Sequence, residues 1–301
     1  MNMEFLDLLM EKTGFPQEAR AAYREAAAKL DSAKMEEAIR HYYEVGFKLE
    51  EAQPLVEEMA QASGVSVYTV WGLFLALAAE RAREDYIKAG ISEDVFFATF
   101  SDLRYKTIEC KRVKGVWGTF VAFWYNIFYQ VKIVKLGRLE YEFIQYKGEE
   151  QTVAGVTVKP GDRVLNIHIP SSGEPFDEAA RLASYQMAYE FEKARGHEGP
   201  LVCVCHSWLL YPGYREVLGE KSNIVGFMND FTLTGTEESG FEDAWRVFGP
   251  AAEGPVEALP EETSMQRKFK KYMQAGGRHG CGRGVLVYDG EKLLKGRKAS
   301  A

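Results

Sequence analysis

A change of hydrophobic period part-way along this 301-residue chain constrains its fold more than any other feature. Up to about residue 112, apolar side chains recur at helical spacing. "KMEEAIRHYYEVGFKL" sets Met35, Ala38, Ile39, Tyr42 and Tyr43 on one stripe. "PQEARAAYREAAAKL" opens with a proline suited to a first turn and is rich in Ala, Glu, Arg and Lys. "SVYTVWGLFLALAAERAREDYIKAG" is apolar first and charged later, with Gly90 as its stop. "SEDVFFATFSDLRYKTIE" begins with Ser92 as N-cap and acids in its first turn.

Beyond about residue 115 the texture is different. "VWGTFVAFWYNIFYQ" reads as one more helix. "LGRLEYEFIQY", "RVLNIHIP", "PLVCVCHSW", "FMNDFTLTG" and "GVLVYDG" then read as strands by period-two or β-rich content. "FDEAARLASYQMAYEFEKARG" and "SMQRKFKKYMQAGG" lie between them with helical period. "EEQTVAGVTVKPGD" reads as a hairpin, and "KPGDR" as a turn. The fold class expected is α+β, with an all-helical domain over residues 1–114 and a mixed α/β sheet domain over residues 115–301. The tail "KGRKASA" is expected to fray.

A net charge of -7 and a pI near 5.5 argue against a global positive field, so no nucleic-acid partner is expected. The N-terminus "MNMEFLDLLMEK" carries acids where an export signal needs lysines. The most apolar stretches, residues 67–79 and 120–129, fall short of the roughly 18 apolar residues that mark a membrane span. With four cysteines, no disulfide scaffold is indicated, and a cytoplasmic location is expected. "AQASGVSVYTV" has helix-turn-helix spacing. Its second helix continues as "WGLFLALAA", without polar side chains for base edges, so it reads as a core helix.

Two segments are chemically unusual. In "VLNIHIPSSGEPFDEAA", residues 164–180, His168 sits in an apolar strand. A small turn, Ser171, Ser172 and Gly173, leads toward a helix start. Such a turn offers backbone N–H groups to an anion, and it also suits an ordinary turn whose serines cap the helix. In "VCVCHSWLL", residues 202–210, Cys203 and Cys205 share one strand face. His206 and Ser207 close the strand at the carboxyl end, where α/β sheets bind ligands.

Neighbouring strands would bring His168, His206, Ser207 and Cys205 to one edge. The histidines and Ser207 then suit acid/base work, and Cys205 suits a histidine-activated nucleophile. Each of these histidines also has a structural role open to it, as a hydrogen-bonded strand residue. Cys203, Cys205, His279 and Cys281 form a C-x-C…H-x-C pattern. Its two pairs are far apart and the spacing is not a standard one, so buried apolar roles and no metal are expected. Cys110 has no partner in sequence.

"LGRLEYEF", "VLNIHIP", "VCVCHSWLL" and "SNIVGFMNDF", in this order behind a helical half, resemble bacterial acyltransferase domain-containing proteins. In that family an N-acyltransferase N-terminal domain precedes a GNAT-like C-terminal domain, similar to the N-acetyltransferase fold. "ISEDVFFATFSDL" resembles the end of the first domain. The resemblance implies acyl transfer from acetyl-CoA or another acyl-CoA to an amine or hydroxyl of a small-molecule acceptor. It implies acyl-CoA lying where the strand of His168 splays from that of His206, with these two residues flanking the acyl group and Ser207 or Cys205 assisting. Ile169, Ser171, Ser172 and Gly173 would then hold the pyrophosphate.

The usual loop pattern, Gln/Arg-x-x-Gly-x-Gly/Ala, is absent from "PSSGEPF". Its nearest match, "GRHGCGRG" at residues 277–284, precedes a strand and is expected to form a glycine-rich hairpin, although Arg278, His279 and Arg283 offer charge to a phosphate. Glu140 and Glu142 read as solvent-facing strand positions, or else as a base. Asn223 reads as a helix cap or a substrate-orienting residue. Two alternatives remain at this point: a Cys205-dependent transferase, and a non-catalytic binding module on a degenerate GNAT scaffold.

Overall fold

The computed structural model describes residues 1–295 and divides them into two compact units. The first holds Met1–Lys135 with Pro170–Ser172, and the second holds Leu136–Ile169 and the residues from Gly173 onward. Most of the tail read as frayed lies outside the described residues.

In the first unit, α1 (Met3–Lys12), α2 (Gln17–Lys29), α3 (Ser32–Glu44), α4 (Leu49–Ser63), α5 (Val67–Lys88), α6 (Glu93–Phe100) and α7 (Asp102–Lys114) follow one another. The long α5 is the centre, packed by α1, α2, α3, α4, α6 and α7. Being surrounded, it is apolar all round through its first turns, with Val70, Leu73, Phe74, Leu75 and Ala76 fully buried. The helix that mimics a DNA reader is thus this core helix. Two core tyrosine hydroxyls find backbone carbonyls: Tyr43 donates to Ala78 at 2.8 Å and Tyr129 to Leu75 at 2.6 Å. Such pairing offsets the cost of burying a hydroxyl.

On α7, Asp102, Lys106 and Glu109 are buried together by their i, i+4, i+7 spacing. The Lys106 ammonium lies 3.7 Å from Asp102 and 3.4 Å from Glu109, and Tyr125 donates to Asp102 at 2.9 Å. The helix expected over "VWGTFVAFWYNIFYQ" is broken. A 3-10 turn (Ala122–Tyr125) leads into one turn of helix, α8 (Asn126–Tyr129). Gly118 lies so close to α5 that a Cβ there would sit 2.2 Å from the Tyr68 carbonyl oxygen, so close packing displaces regular helix. α7 ends at Lys114, where the sequence changes period, and the first unit continues to Lys135.

The strand β1 (Ile133–Leu136) lies at the division between units. The second unit contributes β2 (Leu139–Gln145), the hairpin β3 (Gln151–Val153) and β4 (Val156–Val158), β5 (Arg163–His168), α9 (Glu178–Ala194) and β6 (Leu201–Ser207). The hairpin expected there turns through Ala154 and Gly155, both with positive φ. After β6 come a 3-10 turn (Trp208–Leu210), α10 (Tyr214–Leu218), α11 (Asn223–Asp230), β7 (Thr232–Glu238), α12 (Ala244–Phe248), α13 (Ser264–Gln274), β8 (Gly280–Tyr288) and β9 (Leu293–Leu294). The sheet runs β2-β5-β6-β8-β7, antiparallel except for the parallel pair β5–β6, with β9 beside β8. The expected mixed sheet is present.

α9 makes the crossover that a parallel pair requires. The Tyr141 and Ser184 hydroxyls, on β2 and α9, are 2.9 Å apart. By alternation and register, Leu165, Ile167, Cys203 and Cys205 share that α9-facing side. Val164, Asn166, His168, Val202, Val204 and His206 take the other side, where Val202, Val204 and Val156 pack against a cluster of Val153, Val285 and Val287.

Residues 280–284, expected in a glycine-rich hairpin, form the body of β8 instead. The alternating Gly280, Gly282 and Gly284 leave one side of β8 bare. The Leu210 carbonyl and the Phe231 side chain come close enough to fill that side.

Candidate functional site

The parallel ladder of β5 and β6 is short. Its Cα partners are Leu165↔Cys203 and Asn166↔Val204. β5 runs on to His168, and β6 runs on to Ser207 while staying paired with β8. Beyond Asn166 and Val204 the two strands share no ladder partner among the described residues. Carried forward, the register sets His168 level with His206 on the same side of the sheet, across the point where pairing stops.

Each imidazole is held by its own carboxylate. The β2–β5 register puts Glu142 opposite Asn166 and Glu140 opposite His168. His168 Nε2 meets Glu142 Oε2 at 2.8 Å, and Asn166 Nδ2 donates to the same oxygen at 2.9 Å. With Glu142 ionised, Nε2 is the donor and the imidazole lone pair is on Nδ1. The expectation that Glu140 and Glu142 face solvent fails. Glu140 is buried, and Glu142 is largely buried against His168. Period-two alternation gave the correct face, but neighbouring chain covers that face, which alternation does not report.

His206 Nε2 meets Glu237 Oε1 at 2.7 Å, and Glu237 Oε2 accepts from Arg283 at 2.6 Å. His206 and Glu237 are both exposed. Arg278 pairs with Glu238 at 3.0 Å, so both late arginines have carboxylate partners. His279, considered above for phosphate or zinc, stacks on Phe241 with centroids 4.7 Å apart and bonds the Tyr214 hydroxyl at 3.0 Å. Burial lowers its pKa below 6.5.

Cys205 and Ser207 alternate away from His206 onto the α9-facing side. Cys205 is 2% exposed, and burial pushes its thiol well above the usual range, as it does for Cys203. A neutral, enclosed thiol of this kind is a poor nucleophile. The Ser207 hydroxyl accepts from the Leu209 N–H at 3.1 Å and so caps the following turn. The C-x-C…H-x-C zinc pattern is not assembled, because Cys203 and Cys205 face away from the side that holds Cys281.

α9 begins at Glu178, and Asp177 caps it by accepting from the Ala180 N–H at 2.9 Å. The serines therefore do not cap the helix. Gly173 has φ +75° and is exposed, whereas Ser172 is buried. Pro170, Ser171 and Ser172 belong to the first compact unit and Ile169 to the second. Ser222 caps α11, and the Asn223 carbonyl accepts from Arg181 at 3.4 Å.

Asn166 and Glu237 went unnoticed as site residues in the sequence. Asn166 leaves a signal, two residues before His168 on the same face. Glu237 leaves none, since its place depends on a bulge in β7 between Leu233 and Gly235.

Residues 133–286 match the GNAT-like C-terminal domain, and residues 4–131 match the N-acyltransferase N-terminal domain. The chain belongs to the GNAT-like C-terminal domain family. No curated protein sequence matches this GNAT-like chain. Solved structures with the same fold include an acyltransferase in complex with decanoyl-CoA and teicoplanin, 21% identical with a TM-score of 0.72. They also include an acyltransferase mutant in complex with octanoyl-CoA, 19% identical with a TM-score of 0.74. Each alignment covers 95% of this chain and 88% of the other.

Proposed function

We propose that this chain is an acyltransferase that moves an acyl group from acyl-CoA to an amine or hydroxyl of a small molecule. The observation that carries the proposal is the β5–β6 ladder ending at Asn166 and Val204, with His168 and His206 level beyond it. Beyond the last ladder pair the two strands are no longer joined by sheet pairing. An extended pantetheine arm and a thioester can occupy such a gap.

The acceptor nitrogen attacks the thioester carbonyl, forming a C–N bond as the C–S bond breaks. His168 takes the amine proton, with Glu142 and Asn166 fixing its ring. Backbone N–H groups along β5 beyond Asn166 stabilise the oxyanion. His206 returns a proton to the departing thiolate. Ile169 and Gly173 approach the pyrophosphate through backbone N–H groups, while the Asp177 carboxylate already occupies one amide at the start of α9. Acyl-CoA is an intracellular donor, which suits a cytoplasmic protein. The acyltransferases of like fold bind decanoyl- and octanoyl-CoA, which favours a medium-chain donor. The complex with decanoyl-CoA and teicoplanin favours a glycopeptide acceptor.

Calorimetry and thermal shift with decanoyl-CoA and CoA test the reading. Ligand at 100 times its Kd adds about 2.7 kcal/mol of stability. A panel of amines, teicoplanin included, then tests for release of free CoA thiol. No heat and no thermal shift at millimolar decanoyl-CoA would sink the donor assignment and leave a binding module of another kind.

A further inference from the structure

On the same side of the sheet, at the end of β6, His206 belongs to a second cluster, with Glu237 and Cys281, which the acyl-transfer reading does not use; an imidazole bound to a metal there would not also serve as the acid. Glu237 is the ladder partner of Cys281, and His206 is the partner of Arg283, two residues along β8. Directly opposite and diagonal neighbours on one sheet face are within side-chain reach. The His206 nitrogen, Glu237 carboxylate oxygen and Cys281 sulfur accordingly lie within 4.8 Å of one another. Three adjacent strands hold them, so no loop has to order to bring them together.

We propose that His206, Glu237 and Cys281 form a binding site for a thiophilic divalent transition metal of the zinc class. Imidazole, carboxylate and thiolate are the donor set zinc takes, and three protein ligands with an open fourth position make a site accessible to water or a small ligand. His206 and Glu237 keep 47% and 45% of their side-chain surface exposed, which leaves that fourth position open. Metal–ligand lengths near 2.0–2.3 Å require ligand separations of roughly 3.5 Å, so side-chain rotations of about 1 Å close the site. Arg283 already holds the second oxygen of Glu237, the kind of outer contact that orients a metal-binding carboxylate.

The Glu237 carboxylate and the Cys281 thiolate would together bring two negative charges to a dication. On binding, the dication displaces the thiol proton and forms the metal–sulfur bond. One proton leaves to solvent and no electron moves.

Cobalt(II) is the probe, added to reduced, metal-free full-length protein, with zinc(II) as competitor. The expected result is one cobalt per chain, a thiolate-to-cobalt charge-transfer band, and its loss when zinc is added. Cys281→Ser should abolish the band, and Glu237→Gln should weaken binding by roughly tenfold to a hundredfold or more. Circular dichroism establishes that both variants are folded. Absence of the band in wild type, or an undiminished band in Cys281→Ser, overturns the site, as does equal affinity in Glu237→Gln. These readouts are spectroscopic, so they stand whether or not acyl transfer is found.

Discussion

Substituting the β8 glycines tests whether β8 and the turn after β6 fit as closely as described. A Cβ built on Gly282 would lie 2.3 Å from the Leu210 carbonyl oxygen and 2.9 Å from the Leu210 Cβ. The nearest atom is backbone, so no side-chain rotation relieves the clash. The Trp208–Leu210 turn must retreat by about 1 Å to regain van der Waals contact. Overpacking of this kind costs roughly 1–3 kcal/mol. Loss of the Ser207↔Gly282 pairing at the end of β6 adds about 1 kcal/mol.

Gly282→Ala is therefore expected to destabilise the second unit by about 2–4 kcal/mol. Gly284→Ala should cost less, because its closest neighbour, the Phe231 Cβ, lies at 2.9 Å rather than 2.3 Å. Gly235→Ala meets nothing within 4 Å and should be near neutral. Urea titration followed by circular dichroism gives all three values under one condition. If Gly282→Ala proves no more destabilising than Gly235→Ala, the close approach of Leu210 to β8 is wrong, and so is the stated reason for glycine in this strand.

Glu142→Gln keeps the shape beside His168 but removes a charge 2.8 Å from the ring. A base whose ring is no longer held by that carboxylate loses much of the roughly 100-fold or greater gain that positioned proton transfer supplies. Decanoyl transfer should fall about 100-fold in kcat/KM, and a change under threefold counts against His168 as base. Lys106→Met leaves two buried carboxylates on α7 without their ammonium and should cost the helical unit about 3–5 kcal/mol. An unchanged urea midpoint would contradict that. His279 carries a folded pKa below 6.5, so the unfolded chain binds its proton first. Stability is then full above about pH 6.5 and declines as pH falls toward the folded pKa. His279→Gln should lose less stability than wild type between pH 7 and pH 5, and equal losses would refute the assignment.

Local pattern carried the helical half. The stripe of Met35, Ala38, Tyr42 and Tyr43 is buried as its spacing implies, and Ser92 caps α6 by accepting from Val95. Alternation found β5 and β6 and put His168 and His206 on one side of their strands. Alternation was silent on which strands pair, so residues 280–284 were misread as a hairpin and Glu142 as solvent-facing. His168 was legible as an anomaly, a titratable ring in an apolar strand. The Glu142 and Asn166 contacts that make it chemically useful come from registry between β2 and β5.

Period and residue type fix what each short segment becomes, because a helix or strand face is set by neighbours three or four residues apart, or two. Partnership across the sheet is set by ladder register, by the bulge in β7 and by glycines that admit Leu210. Those choices involve residues tens of positions apart, whose free energies are decided only when the whole sheet packs. So the sequence determined the two textures of this protein and its resemblance to acyltransferases. Tertiary structure decided that the β5–β6 ladder stops after Asn166 and Val204, and that His206, Glu237 and Cys281 meet.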